Sequence, residues 1–264
     1  ARNAWQRLEG VLQNTPERGE AMELPAPEGR VTTENLVVVP PGAQTPALRG
    51  ISLDLSPGGT LGVIGPSAAG KSTLARALVG VWPPRAGTVR LDGAAMEHWN
   101  RDQVGAYLGY LPQDVELFDG TIAENIARFG EVDARKVVEA AKKTGLHEQI
   151  LRLPEGYDTR IGVSSGALSA GQRQRVALAR AVYGNPRFVV LDEPNSNLDQ
   201  AGEEALVDAI RQLREDGCTV VLIAHRPNVL AAVEQVLVLR GGQTAALGPR
   251  QEILNQLTRA SSSA

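Results

Sequence analysis

The segment "TLGVIGPSAAGKST", residues 60–73, decides the fold. A short apolar run leads into Gly-x-x-x-x-Gly-Lys-Ser at 65–72, and Leu74 and Leu78 then share one helical face. Strand, glycine-rich loop and helix in this order predict a phosphate site: backbone N–H groups turn inward around the anion and Lys71 adds positive charge. The residues predicted to bind a nucleotide here are Gly65, Pro66, Ser67, Ala68, Ala69, Gly70, Lys71, Ser72 and Thr73.

Two further apolar runs end in ionisable side chains. "FVVLDEP" at 188–194 places Asp192 at the carboxyl edge of a buried strand, where phosphoryl-transfer sites hold Mg²⁺, and Ser72 offers a hydroxyl to the same ion. Glu193 is expected on the opposite side, as general base for an attacking water. His225 ends the run "VVLIAH" and is expected at the same edge. An Asp-Glu pair alone more often caps a helix or forms a surface ion pair, so this prediction depends on the phosphate loop.

The segment "ALSAGQRQRVALARAV", residues 167–182, predicts a helix with an exposed start. Ser169 and Gln172 have the spacing of a capping box. Ala170 and Gly171 leave the first turn almost free of side chains, so its N–H groups and positive dipole end could approach an anion.

The patterns around these motifs predict an α/β fold with a parallel sheet. The alternating "ISLDLS" at 51–56 indicates an antiparallel β-layer before it, and residues 120–184, with a capping-box pattern at Thr121 and Glu124, indicate a helical insertion. "VLVLRGGQTAALG" at 236–248 predicts a hairpin.

The ends of the chain are predicted to be appendages. Residues 1–30 read as a helix, with Trp5, Leu8 and Leu12 on one face, followed by a proline-bearing linker. Residues 251–264 read as a short helix with a disordered tail.

Composition excludes several classes of protein. The 27 Lys and Arg against 30 Asp and Glu argue against nucleic acid as a partner, and the lone Cys218 argues against an internal disulfide or a cysteine metal site. No apolar run reaches the roughly 18 residues that a membrane span needs. Because the sequence begins at Ala1, we expect it to be a piece of a longer protein.

The ordered motifs, across residues 31–250, resemble the nucleotide-binding domain of ABC transporters. The resemblance implies a P-loop NTPase core with a parallel sheet, an N-terminal antiparallel β-subdomain and an α-helical subdomain, with ATP and Mg²⁺ as cofactors. The resemblance also implies a role for each motif. The 65–73 loop would be the Walker A loop, with Lys71 as a catalytic residue, and Gln113 in "YLPQDVELFDGTIAENI" would be the Q-loop residue that contacts nucleotide and Mg²⁺. Asp192 would belong to the Walker B motif, with Glu193 as catalytic base, and Asp199 to the D-loop; His225 would be the catalytic switch, and the signature would consist of Ser169, Ala170, Gly171 and Gln172.

In that family the signature helix of one subunit faces the γ-phosphate of the nucleotide bound by the other, which implies a head-to-tail homodimer. Three departures are visible. "LVVVPPG" has Pro40 where many exporters stack an aromatic residue on adenine, and Ala170 replaces the usual glycine. Val163, which lies outside the residues that the structure describes, stands where exporters commonly have a Glu that contacts the transmembrane domain.

Four segments are similar to type I secretion ATPases, which export proteases and repeat-containing toxins: "GYLPQDVELFDGTIAENIARF", "VVVPPG", "LDEPNSNLD" and the opening "ARNAWQRLEGVLQ". The similarity implies a transmembrane domain in the same polypeptide, whose tail would be residues 1–30. It further implies a membrane fusion protein, an outer-membrane channel, a secreted polypeptide substrate, and a location at the cytoplasmic face of the bacterial inner membrane.

Three other classes of protein are alternatives. A lipid, drug or peptide exporter domain is the strongest rival. A DNA-repair ABC ATPase would usually carry a coiled-coil insertion, and no sustained heptad run is present. A soluble P-loop kinase or GTPase would leave the signature helix unexplained.

Overall fold

A computed structural model of the protein describes Trp5, Glu9 and residues 24–162 and 168–262. The strands are β1 Val31–Val38, β2 Leu48–Leu55, β3 Thr60–Ile64, β4 Ala86–Leu91, β5 Ala94–Ala95, β6 Leu108–Leu111, β7 Gly120–Thr121, β8 Arg160–Ile161, β9 Phe188–Asp192, β10 Thr219–Ile223, β11 Gln235–Arg240 and β12 Gln243–Pro249. The helices are α1 Lys71–Leu78, α2 Arg101–Gly105, α3 Ile122–Ile126, α4 Ala134–Lys143, α5 His147–Leu151, α6 Ala170–Val182, α7 Gln200–Glu215, α8 Pro227–Leu230 and α9 Arg250–Ser262. Gly156–Asp158 form a 3₁₀ turn.

The central sheet has six strands in the order β12-β11-β3-β10-β9-β6. Neighbours from β11 to β6 run parallel, and β12 pairs antiparallel with β11. The predicted parallel strands and the predicted hairpin are therefore confirmed. The sequence patterns do not predict the edge strand β6.

Side chains of β9 and β10 alternate between two hydrophobic cores, one on each face of this sheet. Val189 and Leu191 pack with α6 and α7 on one face, whereas Phe188 and Val190 pack with α1 and the β-layer on the other. Because both faces are covered, every residue of β9 and β10 is buried. This explains why their sequences are uninterrupted apolar runs.

The N-terminal layer is a four-stranded sheet in the order β2-β1-β4-β5, with antiparallel neighbours. In β2, buried residues recur on the face that meets the core, as the alternating sequence indicates. The expected antiparallel β-subdomain is confirmed.

Between β6 and β9 the chain forms helices α3 to α6. The predicted capping box at Thr121 is confirmed, since Glu124 N donates to Thr121 Oγ1 at 3.1 Å and Thr121 N donates to Glu124 Oε2 at 2.7 Å. This part also contains the ribbon β7-β8, which the helical prediction did not include.

The ends of the chain agree only in part with expectation. Trp5 and Glu9 have helical backbone, and the remainder of the predicted N-terminal helix lies outside the described residues. Helix α9 spans Arg250–Ser262, and the last two residues of the predicted disordered tail, 263 and 264, lie outside the described residues. Within the described ranges, no helix has the length and apolarity needed to span a bilayer.

Candidate nucleotide-binding and catalytic site

The loop between β3 and α1 needs glycine at two positions. Gly65 has φ 155°, and a Cβ there would lie 2.2 Å from Leu239 O. Gly70 has φ 100°, and its Cβ would lie 2.7 Å from Ala47 O. Both positions therefore exclude larger residues, which explains the glycines of the predicted phosphate loop.

Lys71 is the first residue of α1 and its side chain turns back into the loop. Its Nζ donates to Gly65 O at 2.9 Å and to Pro66 O at 3.0 Å, and the residue is 7% exposed. An ammonium has three donors, so one remains for an anion. No side chain caps α1 at Gly70, which leaves the first N–H groups of the helix directed at the loop. The loop can bind a phosphate.

Asp192 ends β9 on the face that carries α1. The residue is fully buried, and within the described part of the chain neither carboxylate oxygen has a hydrogen-bond partner that meets normal geometry. Burial raises the pKa of this carboxyl, and the nearby Ser72 hydroxyl opposes the rise. A buried carboxylate with unfilled acceptor positions beside a hydroxyl is a donor set that suits Mg²⁺.

Glu193 follows β9 and forms hydrogen bonds with residues that follow two other parallel strands, β10 and β6. Its backbone is left-handed, with φ 50°, and its N–H donates to Ile223 O at 3.0 Å. His225 Nε2 lies 2.9 Å from Glu193 Oε1, and Gln113 Nε2 donates to Glu193 Oε2 at 3.3 Å. The structure thus brings together Glu193, His225 and Gln113, because β9, β10 and β6 end at one edge of the sheet.

The predicted signature helix α6 begins as the sequence indicates. Gln172 N donates to Ser169 Oγ at 3.2 Å and Ser169 N donates to Gln172 Oε1 at 2.8 Å. Ser169 and Ala170 are exposed. Across the described residues, no hydrogen bond or ion pair connects this helix start with the phosphate loop of the same chain. The two groups do not form one site within this chain.

Asp199 lies apart from the Glu193 cluster. Its Oδ1 accepts from Gly202 N at 2.9 Å, which caps α7, and from Arg175 Nη2 of α6 at 2.7 Å. The predicted D-loop residue therefore connects the two helices in this structure.

Several polar residues beside the site were not identified from the sequence. Gln174 Nε2 donates to Pro194 O at 3.1 Å, which ties α6 to the segment after Glu193. Glu203 of α7 accepts from Arg226, the neighbour of His225. Their only sequence signal is the presence of polar residues on helix faces that also carry buried apolar ones.

The comparisons with known proteins agree with this geometry. A sequence model of the family described as ABC transporter matches residues 48–196. The type I secretion system ATP-binding protein PrsD of Rhizobium meliloti (strain 1021) is 53% identical over 260 residues, covering 98% of this chain and 45% of that protein. The ATP-dependent lipid A-core flippase of Chromobacterium violaceum is 37% identical over 254 residues, covering 94% and 43%.

A solved structure of a bacterial Atm1-family ABC exporter with ATP bound superimposes with a TM-score of 0.84 and 32% identity. The match covers 97% of this chain and 46% of that one. The chain thus spans less than half of the length of each of these three relatives.

Proposed function

Because this chain belongs to the ABC transporter family, whose ATP-binding domain hydrolyses ATP, we propose that it powers an exporter that secretes polypeptides by the type I route. The higher identity to PrsD, 53% against 37% for the lipid A-core flippase, supports a polypeptide cargo.

The observation that carries the catalytic proposal is the cluster of Glu193, His225 and Gln113 at the sheet edge where the phosphate loop begins. In this proposal Lys71 and the N–H groups of the loop bind the phosphates of ATP. Ser72 and Asp192 would hold Mg²⁺, with the Gln113 side-chain oxygen as a further ligand. The ion would supply positive charge that neutralises the phosphate oxygens during the transfer.

Glu193 is proposed as the general base. Water attacks the γ-phosphorus, the bond from that phosphorus to the bridging oxygen of ADP breaks, and the water proton passes to the Glu193 carboxylate. His225 and Gln113 each bond one oxygen of that carboxylate, so they fix its direction.

A second copy is proposed to complete the site. Among the residues that the structure describes, no hydrogen bond or ion pair joins the exposed start of α6 to the phosphate loop, and the Ser169 oxygen already accepts from Gln172 N. Its hydroxyl hydrogen and the N–H of Gly171 therefore remain to donate to the γ-phosphate held by the other copy. In this arrangement two nucleotides lie between two head-to-tail chains.

The proposed assembly further includes a transmembrane domain in the same polypeptide, a membrane fusion protein and an outer-membrane channel. The ATPase domain would lie at the cytoplasmic face of the bacterial inner membrane. The similarity to PrsD supports this arrangement.

Turnover per molecule, measured against protein concentration, tests the paired site. We expect turnover to rise with concentration and to level off where the domain is dimeric by light scattering. A flat profile in a sample shown to be monomeric would contradict a shared site.

A domain exchange tests the cargo. Residues 31–250 replace the matching segment of PrsD, and secretion of the cargo of PrsD is measured; the same exchange carrying Glu193→Gln is the control. We expect secretion with the first chimera and none with the second. The alternative is a lipid exporter, which the 37% identity to the flippase supports. It is favoured if residues 31–250 support growth only when they replace the matching segment of the flippase.

A further inference from the structure

Arg128 follows α3 and makes an unusual set of contacts. Its Nε donates to Arg180 O at 3.0 Å, its Nη1 to Gly105 O at 2.7 Å and Leu108 O at 2.8 Å, and its Nη2 to Ala181 O at 3.1 Å and Tyr183 O at 3.3 Å. A guanidinium has five N–H donors, and each has a backbone carbonyl here. Within the described residues Arg128 has no ion pair.

Three of these acceptors lie at the end of α6, and the other two lie at the end of α2 and the start of β6. Arg180 and Ala181 belong to the last turn of α6, and Tyr183 follows it, so their carbonyls are among those that a helix leaves unpaired. The negative end of the helix dipole also favours a cation there. Gly105 ends α2 and Leu108 begins β6, so one side chain joins the end of the signature helix to the strand that leads to Gln113.

Two further observations show that this junction is tightly determined. Arg128 and Phe129 both have left-handed backbone, with φ 59° and 57°, a conformation that non-glycine residues adopt only where their surroundings hold it. On β6, a Cβ on Gly109 would lie 2.1 Å from Ala181 O, one of the carbonyls that Arg128 binds. The strand backbone therefore rests directly against the end of α6.

We propose that Arg128 is a positioning residue for ATP hydrolysis: it fixes the end of α6 to the start of β6 and so sets where Ser169 lies relative to Gln113. The inference rests on the proposed function. Helix α6 has 13 residues and is about 20 Å long, so a tilt of about 3° at Arg128 displaces Ser169 by about 1 Å. A misplacement of that size can lower a reaction rate about a hundredfold.

The test compares Arg128→Lys with Arg101→Lys. Lysine keeps the charge but has three donors for five carbonyls. Arg101 is a matched control because it is exposed and makes one hydrogen bond to a carbonyl, Gly80 O at 3.5 Å. We expect Arg128→Lys to bind a fluorescent ATP analogue within twofold of the unaltered domain but to turn over at least tenfold more slowly, and Arg101→Lys to change neither.

A distance measurement separates positioning from catalysis. Spin labels are attached at Glu97→Cys in the turn after β5 and at Lys142→Cys on α4, both of which are exposed. The native Cys218 is buried and does not compete for the label. In the Arg128→Lys background we expect the distance distribution to broaden, or its mean to shift, by about 1 Å or more. The Arg101→Lys background should keep the original distribution.

Either of two results overturns the proposal: turnover of Arg128→Lys within twofold of the unaltered domain, or an unchanged distance distribution. If Arg128→Lys does not fold, Gly109→Ala perturbs the same junction from β6, leaves Arg128 in place and is judged by the same criteria. If the unaltered domain hydrolyses no ATP, the proposed function fails instead. The distance measurement then still tests whether Arg128 fixes the end of α6 to the start of β6.

Discussion

Replacing Glu193 by Gln removes the proposed base and keeps the shape of the cluster. A glutamine oxygen can still accept from Gln113 Nε2, now 3.3 Å from Glu193 Oε2, and its amide can still bond His225. Asp192, Ser72 and Lys71 are unchanged, so ATP and Mg²⁺ binding should persist. The loss is therefore confined to proton transfer, which contributes about 10²- to 10⁴-fold to a rate.

At about 1.4 kcal/mol for each factor of ten, this loss raises the activation free energy by about 3 to 5 kcal/mol. The assay is single-turnover hydrolysis of ATP, with the affinity for a fluorescent ATP analogue measured in parallel and the dimer detected by light scattering. We expect slow hydrolysis, affinity within about threefold, and a dimer that persists with ATP.

Glu252→Gln on α9 is the matched control, since this carboxylate is exposed and distant in sequence from the cluster. It should hydrolyse ATP like the unaltered domain. Turnover of Glu193→Gln within a few-fold of the unaltered domain would remove Glu193 from the role of base. An equal loss in binding and in turnover would show instead that the substitution disturbs the phosphate site.

Three other outcomes are expected. Lys71→Ala should weaken ATP binding by about 10- to 100-fold in a fluorescence titration, because a hydrogen bond from a charged group contributes about 1.5–3 kcal/mol; unchanged affinity would contradict the placement of Lys71. Ser169→Ala should lower the unfolding free energy by about 1 kcal/mol through loss of the cap, and should lower turnover while ATP binding to the monomer stays the same; retained turnover counts against a shared site. Burial raises the pKa of the Cys218 thiol to about 12, so alkylation of the folded domain should be slow up to pH 9 and alkylation in urea should be fast. Because the unfolded chain loses this proton at a lower pH, the unfolding free energy should fall as pH rises from the ordinary thiol pKa toward 12. Rapid alkylation of the folded domain would contradict this.

The sequence predicts those elements whose deciding residues are close together in the chain. The runs at 188–192 and 219–223 are apolar throughout because both faces of the sheet are covered, and their ends then place Asp192, Glu193 and His225 at one edge. The capping boxes at Thr121 and Ser169 are equally local.

The elements that were missed depend on distant partners. Strand β6, "LGYL", is four residues long and contains a glycine whose role becomes visible only against Ala181 O. The ribbon β7-β8 has two residues in each strand. The Arg175–Asp199 ion pair and the five bonds of Arg128 join residues 20 or more positions apart, for which a single sequence has no periodic signal.

The alternation of β9 between the two cores also constrains how its chemistry can change. Phe188 and Val190 face α1, so Asp192, two positions further on, turns toward Ser72 on the same side. Deleting one residue from this strand would turn the side chains on one side of the deletion to the opposite face of the sheet. The carboxylates proposed to hold Mg²⁺ and to accept the proton would then exchange sides of the sheet while keeping their order along the chain. Insertions and deletions in this short strand should therefore be far less tolerated than substitutions.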